Sequence, residues 1–285
     1  MDKVSVLISG RNDPYLTRTV EDVFTKATGA VEVVAVLDGP TEHPLPKPRK
    51  NLLVRAFDQS GGIRTANNRA AEAATGKYIM RLDSHCAVGQ GFDEILKSAC
   101  ADDWIVSPRM YDLCEYNWDR RAGPTDYFYP AFPWTAKIPY RSQTWFWYSR
   151  MRERGDIPLD EQMLSHGSAW LMAKRHWERL GGMDESRGTQ YADHFGICWD
   201  TWAMGGKCMV EKRAWYAHRH PAKPKGHVTE KDRITTDIIA ETKYWTGERR
   251  DDYERMVDHF WPLPTETHHH PLEFGLWPED WKRYL

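Results

Sequence analysis

Over its first hundred residues the chain alternates between two hydrophobic periods. Val4-Ser5-Val6-Leu7-Ile8-Ser9 is a short β-branched run, and Tyr15 to Lys26 places Leu16, Val20, Val23 and Phe24 at helical spacing. Val31 to Leu37 reads as a second buried strand ending at Asp38-Gly39-Pro40, and Leu52 to Arg55 as a third. Residues 61–76 form an Ala-rich helix closed by Gly76, and Tyr78 to Leu82 a fourth strand. This alternation predicts an α/β fold, a mostly parallel sheet with helices on both faces. Ligands of such sheets bind at the carboxyl ends of the strands, where Asp38 and Asp83 fall.

Beyond residue 100 the periods fade. Residues 111–158 are rich in aromatics, Pro and Arg without a sustained repeat, which predicts an irregular segment over the ligand edge. Order returns with a strand at "SAWLMA", a helix over 174–180, a helix from about Asp193 to Met204 and a strand ending at His218. Two further helices are expected near 229–245 and 248–260.

The 285 residues suffice for one catalytic-sized unit, and a formal charge of -2 excludes a global basic field for nucleic acid or membrane surfaces. Five cysteines without a CxxC pair argue against a disulfide framework or zinc ribbon and for a reducing compartment. No window approaches the roughly 18 apolar residues of a membrane span. A soluble cytoplasmic protein, of a bacterium or a phage-infected cell and without an obligate protein partner, is the expectation.

The chemistry concentrates in "RLDSHC". Asp83 and His85 flank Ser84, and in an extended segment residues i and i+2 point to one side. A carboxylate and an imidazole aimed together form part of a site for a divalent ion such as Mn²⁺ or Mg²⁺. A third ligand is expected from His218 or His220, which lead into a cationic segment holding Arg219, Lys223 and Lys225, groups suited to a diphosphate.

"SVLISGRNDPYLTRTVEDVF", the Asp38 strand end, "GGIRTANNRAAEAATGKYIMRLDSHC" and "GGMDESRGTQYADHFGICWDTWAMGGKCMV" together resemble GT-A glycosyltransferases of the family-2 type, and within them the catalytic domain of polypeptide N-acetylgalactosaminyltransferases. The similarity runs in order from about residue 4 to 245 and is weakest across 105–160. The resemblance implies a GT-A catalytic domain over 1–228, comprising a nucleotide-binding half (1–104), an acceptor-side or lid insert (105–160) and a sugar and acceptor half (161–228). Residues 229–285 would be a helical extension packed on it.

It further implies that Asp83, His85 and His218 hold manganese on the diphosphate of a UDP-sugar, with Ser84 between the first two. Ser9, Arg11 and Asn12 would lie beside the uridine, Arg11 replacing the usual His. Asp38 matches the second acid of a pair that reads the base, Leu37 standing where the first would be, and Gly62 and Arg64 match a Gly-x-x-Arg stretch along the nucleotide. The Ala-Gly-Gly of the donor-sugar pocket reads His166-Gly167-Ser168, so the sugar need not be N-acetylgalactosamine. Asp193 and His194 stand on the Glu and Asn of Trp-Gly-Gly-Glu-Asn and are the expected catalytic pair. Transfer with retention of configuration is implied.

Three acceptor classes stay open: a protein Ser/Thr, a saccharide, or a hydroxymethylated pyrimidine in phage-type DNA. Arg120, Arg121, Arg141, Arg150, Arg152 and Arg154 interleave with aromatics across 120–155, a pattern that suits phosphate neutralisation with base stacking and tilts the expectation to DNA. The rival classes are an Asp/His metal-dependent hydrolase or nuclease, and a nucleotide-binding module without catalysis.

Overall fold

The computed structural model describes residues 2–131, 143–187, 193–220, 247–261 and 263. Strands β1 (Val4–Gly10) and β2 (Val31–Asp38) are buried along almost their whole length, as continuous apolar runs covered on both faces must be. β3 (Leu52–Phe57) alternates between half-buried and exposed, as an edge strand should. β1 pairs in parallel with β2 and with β4 (Tyr78–Asp83), and β2 with β3.

Helix α1 (Leu16–Lys26) buries Leu16, Thr19, Val20 and Val23, and α2 (Ile63–Ala73) lies close on the sheet because Ala66, Ala70 and Ala71 are small. Helix α2 ends at Ala73, three residues before Gly76. Gly76 serves the sheet instead: a Cβ there would lie 2.6 Å from Ser5 Oγ and 2.7 Å from the Lys3 carbonyl.

Eight further strands and five α-helices complete the described residues. They are β5 (Cys86–Val88), α3 (Phe92–Ala99), β6 (Trp104–Cys114), β7 (Asp119–Thr125), β8 (Phe128–Ala131), β9 (Gln143–Phe146), α4 (Tyr148–Arg154), β10 (Leu159–Glu161), β11 (Ala169–Ala173), α5 (Lys174–Leu180), α6 (Asp193–Ala203), β12 (Lys207–His218) and α7 (Arg250–Phe260). The main sheet runs β10-β12-β6-β11-β4-β1-β2-β3, with β5 added to β12 and β7 to β6, while β8 and β9 form a separate pair. The segment expected to be irregular is therefore largely ordered. Its remaining residues, 132–142, and the helix expected at 229–245 lie outside the described residues.

Strand β11 is antiparallel to both β4 and β6, and β6 is parallel to β12. The carboxyl ends of β1, β2, β4, β6 and β12 therefore meet at one edge, together with the amino end of β11. That edge gathers Ser9, Asp38, Asp83, Ser168 and His218.

Candidate metal and nucleotide-sugar site

At the end of β4 the chain turns through Ser84 and His85 into β5, which pairs back along β12 so that Cys86 lies opposite His218. The Arg219 amide donates to the His85 carbonyl at 3.2 Å, closing the turn against β12. One ligand atom each from Asp83, His85 and His218 lies within 4.8 Å of the others. The two Nε2 atoms are 3.1 Å apart, and His218 Nε2 is 3.1 Å from Asp83 Oδ2.

The donor set fits a divalent ion. His85 Nδ1 donates to Asp13 Oδ2 at 2.7 Å, which places that ring's proton on Nδ1 and leaves the Nε2 lone pair facing His218 and Asp83. His220 stands one layer back, its Nε2 3.4 Å from His218 Nδ1 and 3.7 Å from Asp112 Oδ1. Of the two histidines left open as third ligand, the structure brings His218 into the cluster and puts His220 behind it.

Charge follows this geometry. Burial opposes the ionised form of Asp83, but the Arg81 guanidinium at 2.8 Å and the facing histidines hold its carboxyl well below the usual range. Burial pushes His218 down to about 4, so it is neutral and able to coordinate. For His85 burial is outweighed by the bond to Asp13 and the charge of Asp83, and its pKa rises.

Arg81, 3% exposed, also reaches Asp193 Oδ2 at 3.5 Å and so ties the metal-side carboxylate to the acid that opens α6. Against its burial, the Asp193 carboxyl is held low by Arg81, His194 and Arg64. His194 Nδ1 is 3.9 Å from Asp193 Oδ1. Arg64, 2% exposed on α2, shares with Asp193, Asp184 and Asp200 a cavity of about 310 Å³.

His166 and Gly167 lie just before β11. The His166 ring is 5.9 Å from that of His218, while a Cβ on Gly167 would come within 2.8 Å of His194 Nδ1 and 3.6 Å of Asp193 Oδ1. Burial, reinforced by the imidazoles of His218, His194 and His220, pushes His166 far below its ordinary value and keeps it neutral.

At the β1–β2 end, Asp38 accepts from Ser60 Oγ (2.5 Å), the amides of Gly61 (2.7 Å) and Gly62 (3.0 Å), and Arg11 (3.3 Å). Its carboxylate thereby fixes the loop that enters α2. Ser9 Oγ donates to Asn67 Oδ1 at 3.2 Å, and Asn12, at φ 46°, caps the next loop by accepting from the Glu42 amide. Ser84 Oγ donates to Asp13 at 2.7 Å and packs on Gly10, where a Cβ would meet it at 3.0 Å. Arg219 Nε donates to Glu115 at 2.6 Å beside a second cavity, of about 320 Å³, that includes His218, His220 and Arg121. Lys223 and Lys225 lie outside the described residues.

Two expected phosphate contacts are committed to the fold. Arg150 donates to the Glu161 carbonyl at 2.8 Å and lies over the rings of Tyr127, Trp147 and Phe260, and Arg154 is bidentate on Asp160 at 2.6 and 2.7 Å. Arg120, Arg121 and Arg152 are exposed, Arg120 over Tyr111 and Trp215, and Arg141 lies outside the described residues. Asp13 and Arg81 belong to this site although no motif of the sequence singles them out. A signal for Arg81 was present, since a cation inside the apolar strand "YIMRL" needs a buried partner.

Fold and site together define the GT-A class of glycosyltransferases, an α/β sheet carrying an aspartate-x-histidine element at its carboxyl edge. Residues 5–154, just over half of the chain, match the profile of glycosyl transferase family 2, and the chain belongs to that family. It is 25% identical over 232 residues to human polypeptide N-acetylgalactosaminyltransferase 13, covering 74% of this chain and 40% of that protein. A probable N-acetylgalactosaminyltransferase 9 of Caenorhabditis elegans is 24% identical over 277 residues, 90% of this chain and 46% of the relative. The chain thus spans less than half the length of these curated relatives.

Among solved structures it resembles GalNAc-T7 with UDP, GalNAc and Mn²⁺ (TM-score 0.65, 15% identity, 99% of this chain and 53% of that one). It also resembles the mannosyltransferase PcManGT of Pyrobaculum calidifontis in complex with GDP-Man and Mn²⁺ (TM-score 0.52, 16% identity, 78% and 58%). At these identities the likeness carries the fold.

Proposed function

We propose that the chain transfers a sugar from a UDP-sugar to an acceptor hydroxyl in a metal-dependent reaction. The observation that carries this reading is the convergence of Asp83, His85 and His218 at the sheet edge, with Asp193 tied to the same centre through Arg81. Asp83 Oδ2 and the two Nε2 atoms would hold Mn²⁺, which supplies positive charge to the diphosphate as it leaves. Mn²⁺ is present in both neighbouring structures, and UDP in one of them.

Ser9, Arg11, Asn12, Asp38, Gly62 and Arg64 would form the nucleotide side, and Arg219, Lys223 and Lys225 the diphosphate side. Asp193, ionised and buried, would orient the acceptor or sugar hydroxyls, with His194 beside it. In the transfer the bond from the anomeric carbon to the phosphate oxygen breaks and a bond to the acceptor oxygen forms. The hydroxyl proton passes to the departing phosphate oxygen or to Asp193. Retention of configuration is part of the proposal.

For the acceptor, the relatives' names favour a polypeptide hydroxyl, and exposed Arg120, Arg121 and Arg152 keep a hydroxymethylated pyrimidine in DNA as the second reading. The full protein is incubated with Mn²⁺ and UDP-glucose, UDP-N-acetylglucosamine or UDP-N-acetylgalactosamine, against Ser/Thr peptides, oligosaccharides, and plain or hydroxymethylated DNA. A single-hexose or N-acetylhexosamine mass gain on one acceptor class is expected. Cleavage of an acceptor without any sugar nucleotide would instead establish the hydrolase or nuclease class.

A further inference from the structure

The packing of β4 gives no reason for Arg81. The residue lies inside the sheet, opposite Leu7 of β1 and Trp170 of β11, and is 3% exposed. Among the described residues its Nε and Nη1 are buried without a hydrogen-bond partner. Burying a guanidinium with unpaired N–H groups opposes folding, and an apolar side chain of similar volume avoids that penalty.

The remaining nitrogen supplies the reason. Nη2 is 2.8 Å from Asp83 Oδ1 and 3.5 Å from Asp193 Oδ2. Each carboxylate thus commits one oxygen to the same nitrogen and keeps the other. Asp83 Oδ2 faces His218 Nε2 at 3.1 Å. Asp193 Oδ1 lies 3.9 Å from His194 Nδ1 and 3.6 Å from where a Cβ on Gly167 would stand. Asp83 ends a strand and Asp193 begins a helix, so no shared element sets one against the other, and two ionised carboxylates repel.

We infer that Arg81 is a positioning residue of the transfer, whose Nη2 holds one oxygen of each carboxylate so that Asp83 offers the metal Oδ2 alone and Asp193 keeps Oδ1 for a substrate hydroxyl. Arg81 lines neither of the two cavities described above, so it acts on a bound molecule through these two acids. The inference rests on the glycosyltransferase reading and adds to it the group that sets the metal-side acid against the substrate-side acid.

The test compares the wild-type protein with Arg81→Met and Arg81→Lys, each first checked for a cooperative melt. Mn²⁺ affinity is read by paramagnetic resonance titration without nucleotide. Initial rates are then taken at saturating Mn²⁺ with the UDP-sugar and acceptor that give the mass gain. Arg81→Met should weaken Mn²⁺ at least about tenfold, as loss of a partner that orients a metal ligand does. Its kcat should fall about 100-fold, the scale of a misplaced reacting group, with KM for the UDP-sugar within about threefold. Arg81→Lys keeps the charge at Asp83 but is too short and too compact to hold both acids. It should recover most of the Mn²⁺ affinity and little of kcat.

Unchanged or tighter Mn²⁺ binding by Arg81→Met would overturn the inference, since a cation that merely competes with the metal gives that result. A kcat in Arg81→Lys equal to wild type would overturn it as well, and decides the matter if Arg81→Met does not fold. Either result leaves the enzyme class intact. Failure of the wild-type protein to transfer any sugar would be a separate outcome, removing the glycosyltransferase reading while the Mn²⁺ titration still decides the role of Arg81 at Asp83.

Discussion

The proton shared by His85 Nδ1 and Asp13 decides what the rest of that ring can do. With Nδ1–H held at 2.7 Å by a carboxylate that also accepts from Ser84 Oγ and the Tyr15 amide, Nε2 is a fixed acceptor aimed at the metal position. Asp13→Asn should therefore weaken Mn²⁺ binding about 10- to 100-fold, the usual cost of losing such a partner, with the fold retained. Manganese paramagnetic resonance titration measures this without turnover.

Proton competition sets a second expectation. The metal-free His85 has a pKa above its ordinary 6.5, so Mn²⁺ must displace its second proton, and affinity should rise with pH by up to about tenfold per unit while the ring is mostly charged. Without metal the sign is reversed. A raised folded pKa contributes stability that is complete below pH 6.5 and is lost as pH climbs through the folded value. The gap between melting points in Mn²⁺ and in EDTA should accordingly widen from pH 6 to 8, and a gap independent of pH would contradict this role for His85. "DSH" was legible at this scale because strand alternation puts i and i+2 on one side. Asp13 was not, since its partnership with His85 spans 72 positions and depends on β1 lying beside β4.

Among the elements, α6 is where packing meets chemistry, since it begins at Asp193 and is covered by α7 through Tyr253, Met256, Val257 and Phe260. The Phe260 ring lies 5.3 Å from Trp202 and 6.3 Å from Trp147, and Phe260→Ala should cost about 3 kcal/mol of stability in urea unfolding. A second element-scale device is the network of Arg154, Asp160, Tyr127 and Lys212 that ties α4 to β10 and β12. Burial opposes it, but Arg154 and Tyr127 bring Asp160 down to about 2 from an ordinary 3.8. A depressed carboxyl contributes above its unfolded pKa and loses that contribution as pH falls toward the folded one. Asp160→Asn should thus cost on the order of 1–2 kcal/mol at pH 7 and flatten the fall in stability between about pH 4.5 and 2.

The elements also explain why the periods fade beyond residue 100. In β6, Pro108 cannot donate to the ladder, and β12 answers with a register shift between Glu211 and Trp215, so neither strand shows an unbroken period. Tyr127 and Trp147, two of the aromatics that interleave with arginine across 120–155, are core.

For the whole molecule, the alternation of strand and helix over the first hundred residues was enough to give the class of fold, because each apolar run had to be covered on both faces. What it could not give was the long-range assembly: β11 entering antiparallel between β4 and β6, which carries His166 to the same edge as Asp83, and β12 returning parallel to β6, which carries His218 there. We propose that edge as a single metal-dependent nucleotide-sugar site. Its most direct test is calorimetric titration of UDP into the wild-type protein and His218→Ala, each in Mn²⁺ and in EDTA. Binding by the wild-type protein in Mn²⁺, lost in EDTA and weakened at least about tenfold in His218→Ala, is the predicted result. UDP binding of equal strength with and without metal, or undiminished in His218→Ala, would contradict it.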